Sequence, residues 1–196
     1  MPDTDRRAGA DTQAEADSVG RIVEQDIWAW LRDFVTVKND FYGRKFAPCP
    51  YARAAMLAGQ VDVKVFEAGD VRGFIREHAV GLRDAASLAT RVIAFPPRVQ
   101  FQWGISDFVE MLNAELIGDG VFLNTGVTKT MTSRYPASPP GSLYFIVVAN
   151  RLEAVLQGAE ALRRTAFYKD WPKAQYALVV ERREQMARRY GARTAT

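Results

Sequence analysis

The chain has 196 residues, 48% of them hydrophobic and 25% charged, the balance of an ordinary globular domain with length enough for a sizeable core. A single cysteine excludes an internal disulfide and a multi-thiolate zinc site, and with one histidine no metal site suggests itself. No apolar run approaches the roughly 18 residues of a membrane span, so a cytoplasmic protein with no membrane partner is expected.

Residues 1–20, "MPDTDRRAGADTQAEADSVG", carry no apolar core of a secretory signal and read as a polar, Ala-rich disordered tail ahead of one domain, 21–196. From Ser18 to about Lys38 the pattern is helical, with Val23, Ile27, Trp30, Leu31 and Phe34 on one stripe. "NDFYGRKFAPCP" follows as a Gly/Pro-punctuated loop, and "YARAAMLAG" as a short helix stopped by Gly59. "VDVKVFEA" alternates like a half-buried strand. Asp70 is positioned to cap a helix whose Val71, Phe74, Ile75, His78 and Leu82 share a face.

"RVIAFPP" is a short apolar strand closed by two prolines. Ser106 is the expected cap of the helix "DFVEMLNAELIGDG". "VFLNTGVTKTMT" alternates as a β-hairpin would, and "SRYPASPPG" is loop. "SLYFIVVA" is apolar almost throughout, as in a central strand covered on both faces. Asn150 and Glu153 form a capping-box variant before "RLEAVLQGAEALRR". A last helix after "KDWP" carries Tyr176, Val179, Val180, Met186 and Tyr190 as its stripe. The alternation predicts an α/β fold: one domain, a mostly covered central sheet flanked by helices, with helices at both ends.

The formal net charge is +3, and much of the excess is Arg182, Arg183, Arg188, Arg189 and Arg193. These read as the solvated face of the last helix. No nucleic-acid-binding signature accompanies them, so a nucleic-acid partner is not expected.

Three groups of residues could carry chemistry. Cys49 precedes a helix, where unpaired N–H groups and the helix dipole favour a thiolate, and Arg44, Lys45 and Arg53 are near in sequence. A small apolar residue at a tight turn is the other reading of Cys49. His78 could be a general base, paired with Cys49 as nucleophile, or a core histidine with a local partner. "NTGVTKTMTSRYP" gathers Asn124, Thr125, Thr128, Lys129, Thr130, Thr132, Ser133, Arg134 and Tyr135, hydroxyls and cations suited to a carboxylate, phosphate or sulfate. Its threonines also suit a plain hairpin. No P-loop, G-x-G-x-x-G or G-x-S-x-G pattern occurs, and nothing in the sequence requires a cofactor. The aromatics Trp28, Trp30, Phe41, Tyr42, Phe46, Tyr51, Phe101 and Trp103 are mostly core, with a few available to wall a small-molecule pocket.

The order of "WLR", "CPYA", "VDVKVFEA", "VIAFPP", "DFVEMLN" and "SRYPASPPGSLYFIVVANRLEAVL", over roughly residues 26–162, resembles a bacterial family of unknown function. That family carries a Cys-Pro-Phe-Ala segment after an N-terminal helix; the resemblance implies a shared fold and supplies no activity. "CPYA" is also similar to the Cys-Pro-Tyr-Cys motif of glutaredoxin-like thioredoxin-fold proteins, "FPPRVQF" to their Val-Pro-x-Val-Phe turn and "GISDF" to their Gly-Gly-x-x-Asp segment. This second resemblance implies Cys49 as nucleophile and Pro96 or Pro97 as a cis-proline.

The function expected from these features is a small-molecule enzyme of bacterial metabolism, specialised metabolism included, with biosynthesis as its setting. An anionic substrate would lie between the Cys49–Tyr51 turn and the 124–135 segment. Cys49, His78 and Tyr51 are the candidate catalytic residues, and Arg44, Lys129, Thr132, Arg134 and Tyr135 the candidate substrate contacts. A non-catalytic partner subunit or binding module, and a monothiol redox protein, stand as alternatives; a homo-oligomer or a heteromeric partner stays open.

Overall fold

Residues 18–97, 99, 104–127 and 144–190 are described by the structure, a computed structural model. Helix α1 (18–30) runs on through one π turn, Leu31–Val35, closed by Thr36 N–H donating to the Leu31 carbonyl at 3.1 Å. Val23, Ile27, Leu31 and Phe34 are buried, as their three-and-four spacing requires. A 3-10 turn, Asp40–Tyr42, ends at Gly43 (φ 60°) and leads to α2 (Pro50–Leu57), where Pro50 takes the first-turn position that needs no N–H. Gly59, at φ 65°, stops α2.

Strand β1 (Val61–Val65) leads to α3 (Val71–Val80), capped by Asp70, whose Oδ1 accepts from the Arg72 N–H at 3.0 Å. Then come β2 (Thr90–Phe95), α4 (Ile105–Leu116), β3 (Val121–Val127), β4 (Phe145–Arg151) and α5 (Leu152–Arg163). The C-terminal helix begins as α6 (Lys173–Tyr176), widens through a π turn (Ala177–Glu181), and continues as α7 (Arg182–Tyr190). The fold is α/β, a single domain with a mixed sheet of order β1-β2-β4-β3. β1 and β2 are parallel; β4 is antiparallel to both β2 and β3.

Alternation along each strand sorts the side chains into two layers. Ile93, Phe95, Val121, Leu123, Val147 and Ala149 pack with α3 and α4 on one face. Val63, Val92, Ala94 and Ile146 pack with α1 and Ala52 of α2 on the other. The strand part of "SLYFIVVA", from Phe145 on, is therefore central and covered on both faces. At the β3 edge, Asn113 of α4 donates to the Leu123 carbonyl at 2.9 Å and accepts the Leu123 N–H at 2.7 Å. One amide thus satisfies both outward backbone groups of an edge-strand residue.

Several local expectations change. Gly104, at φ 92°, caps α4, its carbonyl accepting the Phe108 N–H; Ser106 lies inside the first turn. Among the described residues the partner of β3 is β4, joined in register from Val121↔Arg151 to Val127↔Phe145; residues 128–132, the second half of "VFLNTGVTKTMT", lie outside the described residues. Asn150 stays in β4, its Oδ1 accepting from the Thr90 hydroxyl at 3.1 Å, and Arg151 is the N-cap of α5. Carbonyls of neighbouring chain take the N–H groups there: Ala89 accepts from Arg151 and Gly120 from Leu152. Gly120, at φ 74°, leaves room for the Arg151 guanidinium, which a Cβ would approach to 3.1 Å. Pro96 and Pro97 follow trans peptide bonds, since no cis bond occurs among the described residues. The segment entering Cys49 is the 3-10 turn and loop after α1, with no strand before it among the described residues.

Replacing Asn113, 4% exposed, by Ala leaves the Leu123 N–H and C=O buried without partners. At about 1–3 kcal/mol for each such group, Asn113→Ala should lose several kcal/mol in urea unfolding; an unchanged midpoint would show that the edge is not held by this amide.

Candidate functional site

The final helix decides where the site lies. Val180, Arg183 and Met186 follow one another at three-residue spacing, so they share a face of the helix, and that face packs inward. Arg183 is only 8% exposed. The sequence reading put it on the solvated face with Arg182, Arg188 and Arg189, which are indeed exposed; Arg183 is the exception because helical phase, and not charge, sets which side faces the sheet. That phase was the signal available to find it.

Around Arg183 lie groups from three parts of the chain. Tyr168, in the turn after α5, stands beside the guanidinium, and Cys49 is within electrostatic reach. Glu184 is also near, but its carboxylate is engaged by Arg163, whose Nε donates to the Tyr176 hydroxyl at 2.9 Å. No carboxylate pairs with Arg183 among the described residues, and its buried Nε makes no hydrogen bond. Burial pulls the Arg183 pKa below its ordinary value, with Tyr168, Glu184 and Cys49 opposing the shift. A guanidinium held out of water without a full set of partners is costly.

Arg183 also lines a cleft of about 200 Å³ between α4, β3 and the C-terminal helix. Val109, Glu110 and Asn113 form one wall, Phe122 to Thr125 the second, and Val179, Arg182 and Met186 the third. Arg182 is paired with Glu110 across the mouth. Asn124 and Thr125, the first residues of the segment proposed from sequence as an anion site, thus face a cleft that holds a buried cation. Lys129, Thr132, Arg134 and Tyr135, like Thr128, Thr130, Ser133, Arg193, Phe101, Trp103 and residues 1–17, lie outside the described residues.

The candidate catalytic residues separate. Cys49 is the N-cap of α2 and packs on the α1 side of the sheet, its N–H donating to the Val35 carbonyl at 3.0 Å. Burial pushes its thiol up; the Ala52 and Tyr51 N–H groups and Arg183 pull the other way without reversing the direction. The cations near it in sequence are not its neighbours in this balance: Lys45 and Arg53 are exposed, and Arg44, at φ 56°, is exposed and paired with Asp40, its Nη2 donating to Oδ2 at 3.3 Å. Among the described residues Arg183 is the cation whose charge acts on the thiol.

His78 belongs to α3 on the opposite face, so the sheet separates it from Cys49 and the two cannot form a nucleophile–base pair. Its ring stands edge-on to Phe74, centroids 4.3 Å apart, and its carbonyl accepts from Arg91 Nη1 at 2.8 Å. Burial chiefly holds the imidazole pKa below its ordinary value; Arg91 and Lys64 add to this, and Glu77 and Asp62 oppose it. Tyr51 packs against Gly158, and its buried hydroxyl lies near Thr90 without a hydrogen bond of normal geometry; burial raises its pKa. Tyr168, which the sequence reading did not single out, sits in an aromatic cluster with Tyr42, Phe46, Phe167 and Trp171, and burial raises its pKa too. No group of three or more metal-ligating side chains occurs among the described residues, and no helix of the described chain is long and apolar enough to cross a membrane.

No protein-family description, curated protein or solved structure matches the chain. The site is therefore read from its own chemistry. Near neutral pH it offers a buried cation beside two protonated acids, the Tyr168 phenol and the Cys49 thiol.

Two measurements check this electrostatic picture. Cys49 should be alkylated by iodoacetamide at pH 7.5 at least about ten-fold more slowly than a free thiol of ordinary pKa, and a rate matching the free thiol would contradict the buried setting. His78 binds its proton more weakly in the folded chain than in the unfolded one, so stability falls as pH drops through about 6.5. His78→Gln should lessen that loss between pH 7 and 5; an identical pH profile would remove His78 from the balance.

Proposed function

We propose that this protein is a small-molecule enzyme whose anionic substrate binds in the cleft between α4, β3 and the C-terminal helix, with Arg183 as its counter-charge. One observation carries the reading: Arg183, only 8% exposed and with no paired carboxylate among the described residues, lines a cleft. Such a charge is stabilised when an anion enters, because the attraction acts in a low-dielectric setting. Asn124 and Thr125 add polar contacts on the β3 wall. Tyr168 and Cys49 stand near the guanidinium but do not line the cleft, and no catalytic step is assigned to them. A redox role for Cys49 draws no support from a thiol pushed up by burial.

The test is a thermal-unfolding titration of the full chain with phosphate, sulfate and a panel of small carboxylates, on wild type and Arg183→Met. A ligand at a hundred times its Kd stabilises by about 2.7 kcal/mol, so at least one anion should raise Tm in wild type and none in the variant. Without anions, Arg183→Met should match or exceed wild-type stability, because an apolar side chain replaces an uncompensated charge. If no anion acts, or if the variant responds equally, the cleft is not an anion site and a non-catalytic role becomes the better reading.

A further inference from the structure

We infer that the outer edge of β1 is an interface, which pairs antiparallel with the β1 edge of a second copy of this chain, centred on Val63. The parity of the ladder decides which backbone groups are available. Gln60 accepts the Thr90 N–H at 2.9 Å and Phe66 donates to the Ala94 carbonyl at 2.9 Å, so the even-numbered positions turn toward β2. Val61, Val63 and Val65 turn their N–H and C=O groups the other way, to an edge where no strand pairs among the described residues. Neither proline nor bulge guards that edge: the strand runs in unbroken register from Val61↔Thr90 to Val65↔Ala94. α1 leaves it accessible, with an open groove between Val63 and Val65 and its own first turns at Gly20, Arg21 and Glu24.

The charges choose the occupant. "VDVKV" is complementary to itself read in the opposite direction: with Val63 opposite Val63 of the second copy, Asp62 faces that copy's Lys64 and Lys64 faces its Asp62. In this register the outward-facing valines meet one another, Val61 against Val65 and Val63 against Val63, so each N–H finds a C=O. The charged pairs fall between them, at the positions where opposing side chains come closest. In the single chain Lys64 rests on its own Asp62 at 3.2 Å, with both side chains still accessible. Across the junction a row of alternating sign forms: Arg91, whose Nε donates to Asp62 at 2.9 Å, then Asp62, then the second copy's Lys64. A slip of one residue turns the valine amides away from their partners. A slip of two sets Asp62 against Asp62 or Lys64 against Lys64, so charge fixes the register. The contact is isologous and closes at two copies, joining two four-stranded sheets through one central pair.

Sedimentation velocity of the full chain between about 5 and about 500 µM should show a monomer–dimer equilibrium. Lys64→Glu should weaken it at least about ten-fold, because both cross-strand pairs become repulsive. Asp62→Lys should do the same, and an equimolar mixture of the two variants should recover the dimer, since unlike charges then face each other again. Amide hydrogen exchange needs no substitution, and it decides the case if Asp62→Lys fails to fold beside Arg91: the Val61, Val63 and Val65 amides should gain protection as the dimer forms. A chain that stays monomeric at the highest concentration would overturn the inference, as would a dimer indifferent to Lys64→Glu. Valine amides already protected in the monomer would overturn it too, by showing that a segment of the same chain covers the edge.

Discussion

The pairing of β2 with β4 governs the rest of this structure. Ile93, Val147 and Ala149 point to one face and Val92, Ala94 and Ile146 to the other, and each of these side chains is almost fully removed from water. Two adjacent strands apolar on both sides can exist only if helices cover both sides. α3 and α4 cover one face and α1 with α2 the other, and the edge strands then inherit different problems. β1 meets water with Asp62 and Lys64 on one face, Asp62 taking Arg91 at 2.9 Å. Phe122 of β3 points away from α3 and α4, opposite to Val121 and Leu123, and packs with Ile117, Leu152 and Met186 rather than with α1. The C-terminal helix thus closes over β3, and the cost of that closure is a charge: the position between Val180 and Met186 is an arginine.

Buried charge organises the site around that arginine. Arg163 and Arg182 each have a carboxylate, Glu184 and Glu110 respectively, and both pairs tie the C-terminal helix to its neighbours. Arg183 lies between these two links without one of its own among the described residues. Removing a guanidinium from water costs several kcal/mol unless hydrogen bonds and counter-charge offset it. A fold that bears that cost gains nothing in stability from doing so, and this is the observation on which the proposed anion site rests. The same low-dielectric surroundings explain why Cys49, Tyr51 and Tyr168 are all shifted toward their protonated forms, since burial disfavours each anion.

The separation of Cys49 from His78 follows from the sheet as well. Cys49 heads a helix that precedes β1, and His78 lies on the helix that follows β1. The first of these helices packs with Val63 and Val92 and the second with Ile93 and Phe95, so the sheet stands between them. Two residues that suggest a nucleophile and its base when read along the chain are thereby assigned to different layers. Cys49 instead meets a cation more than a hundred positions later in the chain, which no local reading connects to it.

Periodicity alone was sufficient for much of the architecture. The stripe of α1, the alternation of β1, the Asp70 cap, the Gly59 stop and the two-sided burial of Phe145–Ala149 are all local consequences of where apolar and turn-forming residues recur. The same local logic misplaced the caps at Ser106 and Asn150, because Gly104 and the carbonyls of Ala89 and Gly120 supply what those side chains were expected to supply. Strand partnership, the division of Cys49 from His78, and the burial of Arg183 depended on contacts between segments distant in sequence. Hydrophobic patterning specifies which face of an element turns inward; which charge ends up inside, and beside what, is settled only when the elements pack and water is excluded between them.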